Sequence, residues 1–341
     1  MLVKPFLSMI LLGGIILIGV SGCDTRFKAE TTLSDYVQDL NRSQFFSTET
    51  PAIVMPNRLP PKRLRQLDLS AFDIGLLDFL SLQQCGVGAV AGKKNSILGK
   101  VMPDSQRFLY ELDIIRAIES CEVTDRELAE SLYQVAQKKR LELPIAFGNA
   151  IFQGEESDAF FSLSNGFLPL NYSKEHQQEL LNALNHLIVI GENLESLPVV
   201  DGDRFENDLK ALLNSEYAGR LLYSLSRITS YLNQVSKETS ALDQKACGAP
   251  MAYLSQQFER HYVKALQPYM GRINSSAYEV LPLLNRLAEL GKVSNETRVF
   301  MHQFSLQGVS RSVWLDYQEA SQKHAKQWSR VFGLCSIPLS S

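Results

Sequence analysis

Residues 221–242 read LLYSLSRITSYLNQVSKETSAL. Leu221, Leu225, Ile228, Leu232, Val235 and Leu242 recur there in alternating steps of four and three, with Thr239 as the one polar member of the series. Such steps return a side chain to one face of a helix of 3.6 residues per turn, so the stretch predicts a long helix with a continuous buried seam.

The same period appears on both sides of it. Lys28 to Phe45 places Leu33, Val37 and Leu40 on one stripe, and Val309 to Phe332 places Val313, Tyr317, Ala320, His324 and Trp328 on another. Ser173 to Leu197 reads as a further helix. Pro103 and Asp104 open one whose buried stripe is Phe108, Leu112 and Ile115. Asp203 with Glu206, and Ser276 with Glu279, match the capping pattern of helix starts, while Gly248 with Pro250, and Gly291, read as stops. Period-two runs are absent apart from a short candidate strand at Leu67 to Phe72. The expected fold is therefore all-α, about ten helices in a multi-helix bundle, with no fixed repeat and no low-complexity segment.

Asn165-Gly166 and Pro169-Leu-Asn171 form the clearest mid-chain break, which divides the body into helical subdomains at 68–168 and 169–341. One continuous bundle is the alternative. Ahead of the body, Pro51, Pro56, Pro60 and Pro61 forbid helix over most of residues 47–67, leaving a basic spacer or a strap laid over the domain. Its cations Arg58, Lys62, Arg63 and Arg65 are either solvated, paired internally or turned toward anionic headgroups.

The N-terminus has one cation, Lys4, then about fifteen mostly apolar residues ending at Val20, the length of a signal-peptide core and too short for a membrane span. Val20-Ser-Gly-Cys23 resembles the bacterial lipobox. Residues 1–22 then form a lipoprotein signal peptide, Cys23 becomes an acylated N-terminus, and residues 23–46 hold the anchor and a short helix. Acyl chains on Cys23 would suffice for stable anchoring without a transmembrane helix. Asp24 resembles the signal that retains lipoproteins in the inner membrane, with the outer membrane as the alternative. The location implied is the periplasmic side. Of the five cysteines, Cys85, Cys121, Cys247 and Cys335 then remain, an even number in an oxidising compartment. Three connectivities exist; chain order favours Cys85–Cys121 and Cys247–Cys335, each worth up to about 4 kcal/mol by loop closure. None lies in a C-x-x-C.

The 341 residues are 45 % hydrophobic and 21 % charged with a net charge of −3, values of an ordinary globular chain with no basic footprint for nucleic acid. Catalytic motifs are scarce. His176, His186, His261, His302 and His324 have no zinc-ligand spacing, and His324 reads as a core histidine. Gly86-x-Gly88-x-x-Ala91 matches a dinucleotide fingerprint only formally, since no strand precedes it. Lys94 follows Gly92-Lys93 where a phosphate loop needs a hydroxyl. Gly308-Val-Ser310 lacks the second glycine of a nucleophile elbow. No cofactor or metal is expected. The densest set of polar groups able to converge is Asn95, Ser96, Ser105, Gln106, Arg107 and Glu111, read as a candidate binding site or a polar loop capping a helix.

Ile74-Gly-Leu-Leu-Asp78, Cys85, Asn95-Ser96-x-Leu98-Gly99-Lys100 and Ser105-Gln-Arg-x-Leu-Tyr-Glu111 occur in that order. In this the chain resembles a proteobacterial lipoprotein family known as domain of unknown function 3080. The resemblance spans nearly the whole mature chain and implies no activity. Where members often carry tryptophan before an Asn-Ala pair, this chain has Phe147-Gly148 before Asn149-Ala150. The expectation is a lipid-anchored envelope protein that binds an envelope partner or acts as an accessory subunit, a reading favoured over an enzyme, with that alternative left open. A periplasmic hydrolase of peptidoglycan or lipid, and a small-ligand receptor, are the alternatives.

Overall fold

The computed structural model describes residues 27–52, 54–71, 82, 85–95, 101–172, 174–306 and 312–338. Residues 1–22, read as a signal peptide, with Cys23, Asp24, the Ile74–Asp78 motif, Ser96 and Ser310, lie outside them. The fold is helical, with no strand among the described residues. In chain order the helices are α1 (Lys28–Leu40), the single turn α2 (Lys62–Arg65), α3 (Gly86–Asn95), α4 (Asp104–Glu119), α5 (Arg126–Phe152) and α6 (Glu155–Phe160). Then follow α7 (Lys174–Glu192), α8 (Gly202–Ser215), α9 (Tyr217–Ala241), α10 (Ala249–Gln257), α11 (Gln267–Leu290), α12 (Asn295–Met301) and α13 (Val313–Leu334). A π-helical stretch, Phe258–Leu266, joins α10 to α11. No described helix is long and apolar enough to cross a membrane.

Helix α9 is the axis of the molecule. Every member of its predicted seam is buried, Leu221 through Leu242, and the polar member Thr239 returns its hydroxyl to Val235 O at 2.7 Å. It packs along α13, while α4 packs along α5 and α7 contacts both α8 and α11. The main core runs from Ala29 to Phe332 without interruption at residues 168 and 169: Phe147, Phe160 and Phe167 share it with Leu184, Leu221 and Trp328. A second, smaller core lies elsewhere, formed by Val87, Ala91, Tyr110, Ile114, Leu132 and Ala136 on α3, α4 and α5. Helix α4 is apolar on two sides, with Phe108, Leu112 and Ile115 facing the main core and Tyr110 and Ile114 the satellite. The disulfide Cys85–Cys121 closes the satellite, and Cys247–Cys335 ties the segment before α10 to the end of α13. Both connect as chain order favours.

Two helix starts differ from expectation. The side chain that caps α8 is Asp201, accepting from Arg204 N at 3.1 Å, so the helix begins ahead of Asp203. Ser276 lies inside α11, buried, with its hydroxyl on Ile273 O and on the Tyr217 phenol, so the Ser-x-x-Glu spacing there marks no end.

The proline-rich segment is a strap and not a free spacer. Its extended backbone groups cannot pair with one another, and primary amides from the body pair with them at intervals of about ten residues. Asn41 makes two hydrogen bonds with Thr48 (2.6 and 2.8 Å), Gln303 two with Asn57 (2.8 and 3.1 Å), and Asn149 two with Leu67 (2.7 and 3.2 Å). Each amide offers one donor and one acceptor, so it mimics one rung of a β-ladder. This replaces the short strand expected at Leu67: the backbone is extended, but its partner is a side chain on α5. Arg65 turns inward beneath the strap, 2 % exposed, donating to Phe152 O at 2.6 Å and to Asp158 at 2.5 Å.

Candidate functional site

The polar cluster singled out in the sequence is brought together only in part. Arg107 and Glu111, one helical turn apart on α4, pair at 2.6 Å between Nε and Oε1. The other carboxylate oxygen takes a 2.7 Å bond from Lys139 on α5, a lysine only 1 % exposed. Gln106 points away to Glu206 on α8 at 2.6 Å, and Ser105 is buried. Asn95 ends α3, and its side chain, like Ser96, lies outside the description.

What this cluster does is hold the strap. Lys139 Nζ donates to Ser70 O at 3.1 Å, Arg107 reaches the same carbonyl at 3.5 Å, and Ser70 donates N–H and O–H to Glu142 at 3.0 and 2.6 Å. The Arg107 guanidinium also lies 5.3 Å from the Tyr110 ring. Burial, aided by the Glu111 charge and opposed by Arg107, pushes the Tyr110 phenol up to about 12. The charges are thus committed to one another and to the strap, and the arrangement is a clasp. Lys139 was not visible as a functional residue, yet a signal exists. Leu132, Ala136, Lys139, Leu143 and Ala146 step by four and three, and a lysine in an apolar seam needs a buried anion.

His324 is a core histidine, as its place on an apolar stripe predicts. The Trp328 indole, which can only donate, lies 3.2 Å from Nε2, and the Tyr36 hydroxyl lies 3.1 Å from the same atom. Nε2 therefore accepts, and the proton sits on Nδ1. Burial lowers the pKa from 6.5 to about 3. Between those values the unfolded chain binds a proton that the folded one refuses, so the stabilisation is full above pH 6.5 and is lost as pH falls. The slope is about 1.4 kcal/mol per pH unit. Denaturant unfolding at pH 6.5 and pH 5 should show the protein losing about 2 kcal/mol more than His324→Phe. Equal losses would show that the imidazole is not held neutral.

Two further histidines pair with carboxylates. His261 Nε2, on the π-helical stretch, lies 2.7 Å from Asp39 Oδ2, and His186 Nδ1 pairs with Asp208. The Asp39 pairing joins α1 to the body, as does Glu30, which takes bonds from the buried Arg227 (2.5 and 3.2 Å) and from the Tyr231 hydroxyl (2.7 Å). Among the described residues no group of three or more His, Cys, Asp or Glu is placed to hold a metal ion. The GxGxxA stretch forms the start of α3, and no strand precedes it among the described residues, so the strand–turn–helix setting of a dinucleotide fingerprint is not formed there.

An open site is found elsewhere, between α9, α13 and the strap. A groove of about 800 Å³ is lined by Ser226, Thr229, Ser230, Asn233, Gln234 and Lys237 of α9, facing Asp316, Glu319 and Lys323 of α13, with strap residues Pro51 to Asn57 along one edge. Asn233 and Gln234 have no hydrogen-bond partner among the described residues, and neither has the buried Thr229 hydroxyl. The walls are two long helices held by the main core, so the groove is preformed. The seam that fixes α9 also fixes which α9 residues face outward, but that α13 and the strap would meet them is set by the tertiary fold.

The model of one protein family matches residues 33–339, most of the chain, while a search of curated proteins and a search of solved structures each find no match. The order of short motifs and the breadth of that match agree: this chain belongs to the family described as "Protein of unknown function (DUF3080)".

Proposed function

We propose that this is a lipid-anchored envelope protein, tethered through Cys23 on the periplasmic side of a bacterial membrane, the inner one from Asp24, that works by binding an envelope partner along the α9–α13 groove. The observation carrying the binding role is that the groove presents the buried, unpartnered Thr229 hydroxyl beside the solvent-facing amides of Asn233 and Gln234, which bond to no other described residue. Three times in this molecule an Asn or Gln side chain pairs with an extended backbone, and one of those pairs, Gln303 with Asn57, lies on the groove's own wall. Asn233 and Gln234 offer the same two-point pairing to an extended segment of a partner, and the Thr229 hydroxyl adds a third contact. Lys237 and Lys323 against Asp316 and Glu319 give the rim charges of both signs, which suits register and selectivity more than raw affinity.

The test is a photo-crosslinking amino acid placed at Gln234 in cells of the source bacterium, with Val199, exposed on the loop before α8, as the control position. One defined envelope protein should be trapped from Gln234 and not from Val199. Equal trapping at both would overturn the reading, and none at Gln234 while the purified protein degrades cell-wall fragments would overturn it in favour of a hydrolase.

A further inference from the structure

We infer that the strap and the start of α1 form a face that sits on the bilayer, with Phe27, Val54 and Met55 at the interface and Arg58 and Arg63 on anionic headgroups. This rests on lipid attachment at Cys23 and goes beyond it, since a tether alone leaves the body free to turn.

Three observations converge on the strap and the residue ahead of α1. The first is apolar exposure. Phe27, Val54 and Met55 are large and water-exposed, Val54 at 67 %. Phe27 packs edge-on against Tyr223, with ring centroids 6.0 Å apart. It lines a cleft of about 390 Å³ together with Met55, Arg58, Leu59, Phe161 and Tyr223. These side chains are not on a loose loop that could turn them inward. The Val54 carbonyl accepts from the Ser226 hydroxyl, Asn57 is pinned at both backbone groups by Gln303, and Pro51 and Pro56 restrict the chain between. The exposure is built in.

The second is charge. Residues 58–65 carry four cations, and the fold sorts them. Arg65 is buried against Asp158, and Lys62 pairs with Asp104 at the surface at 2.9 Å. Arg58 and Arg63 are exposed and have no ion pair among the described residues. Apolar side chains beside cations with long apolar stems are the composition of an interfacial anchor on an acidic membrane.

The third is reach. Phe27 lies four residues after Cys23, a span of about 14 Å when fully extended. Helix α1 begins at the next residue and is locked into the core through Glu30, Tyr36 and Asp39, so no slack can be drawn from it. With acyl chains on Cys23, the face that carries Phe27 is held within that distance of the headgroups. Any other orientation would leave Val54 and Met55 in water while the tether holds the body beside a surface that takes them up. The α9–α13 groove shares the strap as its edge, so it would open beside the membrane.

The test uses the full chain purified from membranes and reconstituted in vesicles of phosphatidylcholine and phosphatidylglycerol containing a lipid with a diazirine in its acyl chain. After irradiation, adducts are mapped by peptide mass spectrometry. They should fall on the peptides carrying Phe27 and Val54–Met55. They should be absent from Leu141 on α5, Val199 before α8 and Tyr278 on α11, which are exposed apolar residues outside the strap. Arg58→Glu with Arg63→Glu, or vesicles of phosphatidylcholine alone, should lower the Met55 adducts about fivefold or more. Adducts spread over all exposed apolar sites overturn the proposal, as does their absence at Met55 while a dimer forms, which would mark this face as a contact between copies. The mass of the N-terminal peptide in the same sample separates the two claims. An unmodified Cys23 removes the anchor on which the proposal rests, whereas a lipidated Cys23 with adducts elsewhere overturns the orientation alone.

Discussion

Lys139→Met is expected to lower folding stability by about 3 kcal/mol, although the two side chains are similar in length and the new one is apolar. The ammonium is buried between Glu111 and the Ser70 carbonyl at 2.7 and 3.1 Å. Removing it leaves a carboxylate, itself 2 % exposed, with Arg107 as its one remaining cation. Losing one partner of a buried pair costs about 3–5 kcal/mol, and the surviving Arg107 bond places this case at the low end. The strap should loosen as well, because one of the three bonds that hold Ser70 to α5 is the Lys139 bond itself, the other two running to Glu142. Urea unfolding measures the first effect, and hydrogen exchange at the Leu67 and Ser70 amides the second. A second variant separates charge from packing. Glu111→Met combined with Lys139→Met removes both charges, and should be more stable than Lys139→Met alone by about 1–2 kcal/mol. Additive losses would mean that the pair contributes by shape and not by charge.

Gly219→Ala, on α9, should cost about 3 kcal/mol, against the gain of about 1 kcal/mol that helix propensity alone assigns to it. A Cβ there would lie 2.1 Å from Ser162 O and 2.8 Å from Phe161 C, both backbone atoms of the turn that follows α6. Backbone cannot move aside as a flexible side chain can, so the turn or the helix must shift, and the buried Phe161 and Leu163 shift with it. Thermal unfolding decides the sign. A raised melting temperature would show that α9 does not approach the 160–163 segment so closely. The same logic holds where α5 crosses the end of α11, since a Cβ on Gly291 would meet Gly148 Cα at 2.8 Å.

Much of the fold was legible because its helices repeat a simple period. The α9 seam, the α13 stripe from Tyr317 to Trp328 and the Phe108–Ile115 stripe are buried as their spacing implies, since one face of a helix must face the core, while Val313 at the start of α13 is only partly buried. Caps were less legible. Asp201 and Asp203 are both acceptable N-caps two residues apart, and only the bond to Arg204 N distinguishes them. Ser276 with Glu279 looks like a helix start because local chemistry is the same whether the serine caps an end or meets Tyr217 across the core. The extended segment at Leu67 was readable, but its partner was not, because Asn149 lies 82 residues away and hydrogen-bonds by side chain. The site fared likewise. Arg107 and Glu111 pair because they are one turn apart on a helix, whereas Lys139 and Ser70 arrive through tertiary packing, and these convert an apparent binding cluster into a clasp. The α9–α13 groove drew no attention as sequence because uncharged amides and hydroxyls on a helix look like ordinary solvated surface.

The binding role, the membrane-facing strap and the short reach from anchor to body all depend on what becomes of residue 23. The most direct measurement is the intact mass of the protein purified from the membranes of its own source, with the N-terminal peptide sequenced by fragmentation. The account predicts a chain that begins at Cys23, has lost residues 1–22, and carries a diacylglyceryl group with or without an amide-linked acyl chain. A chain that retains Met1, or one that begins elsewhere with an unmodified Cys23, would contradict it.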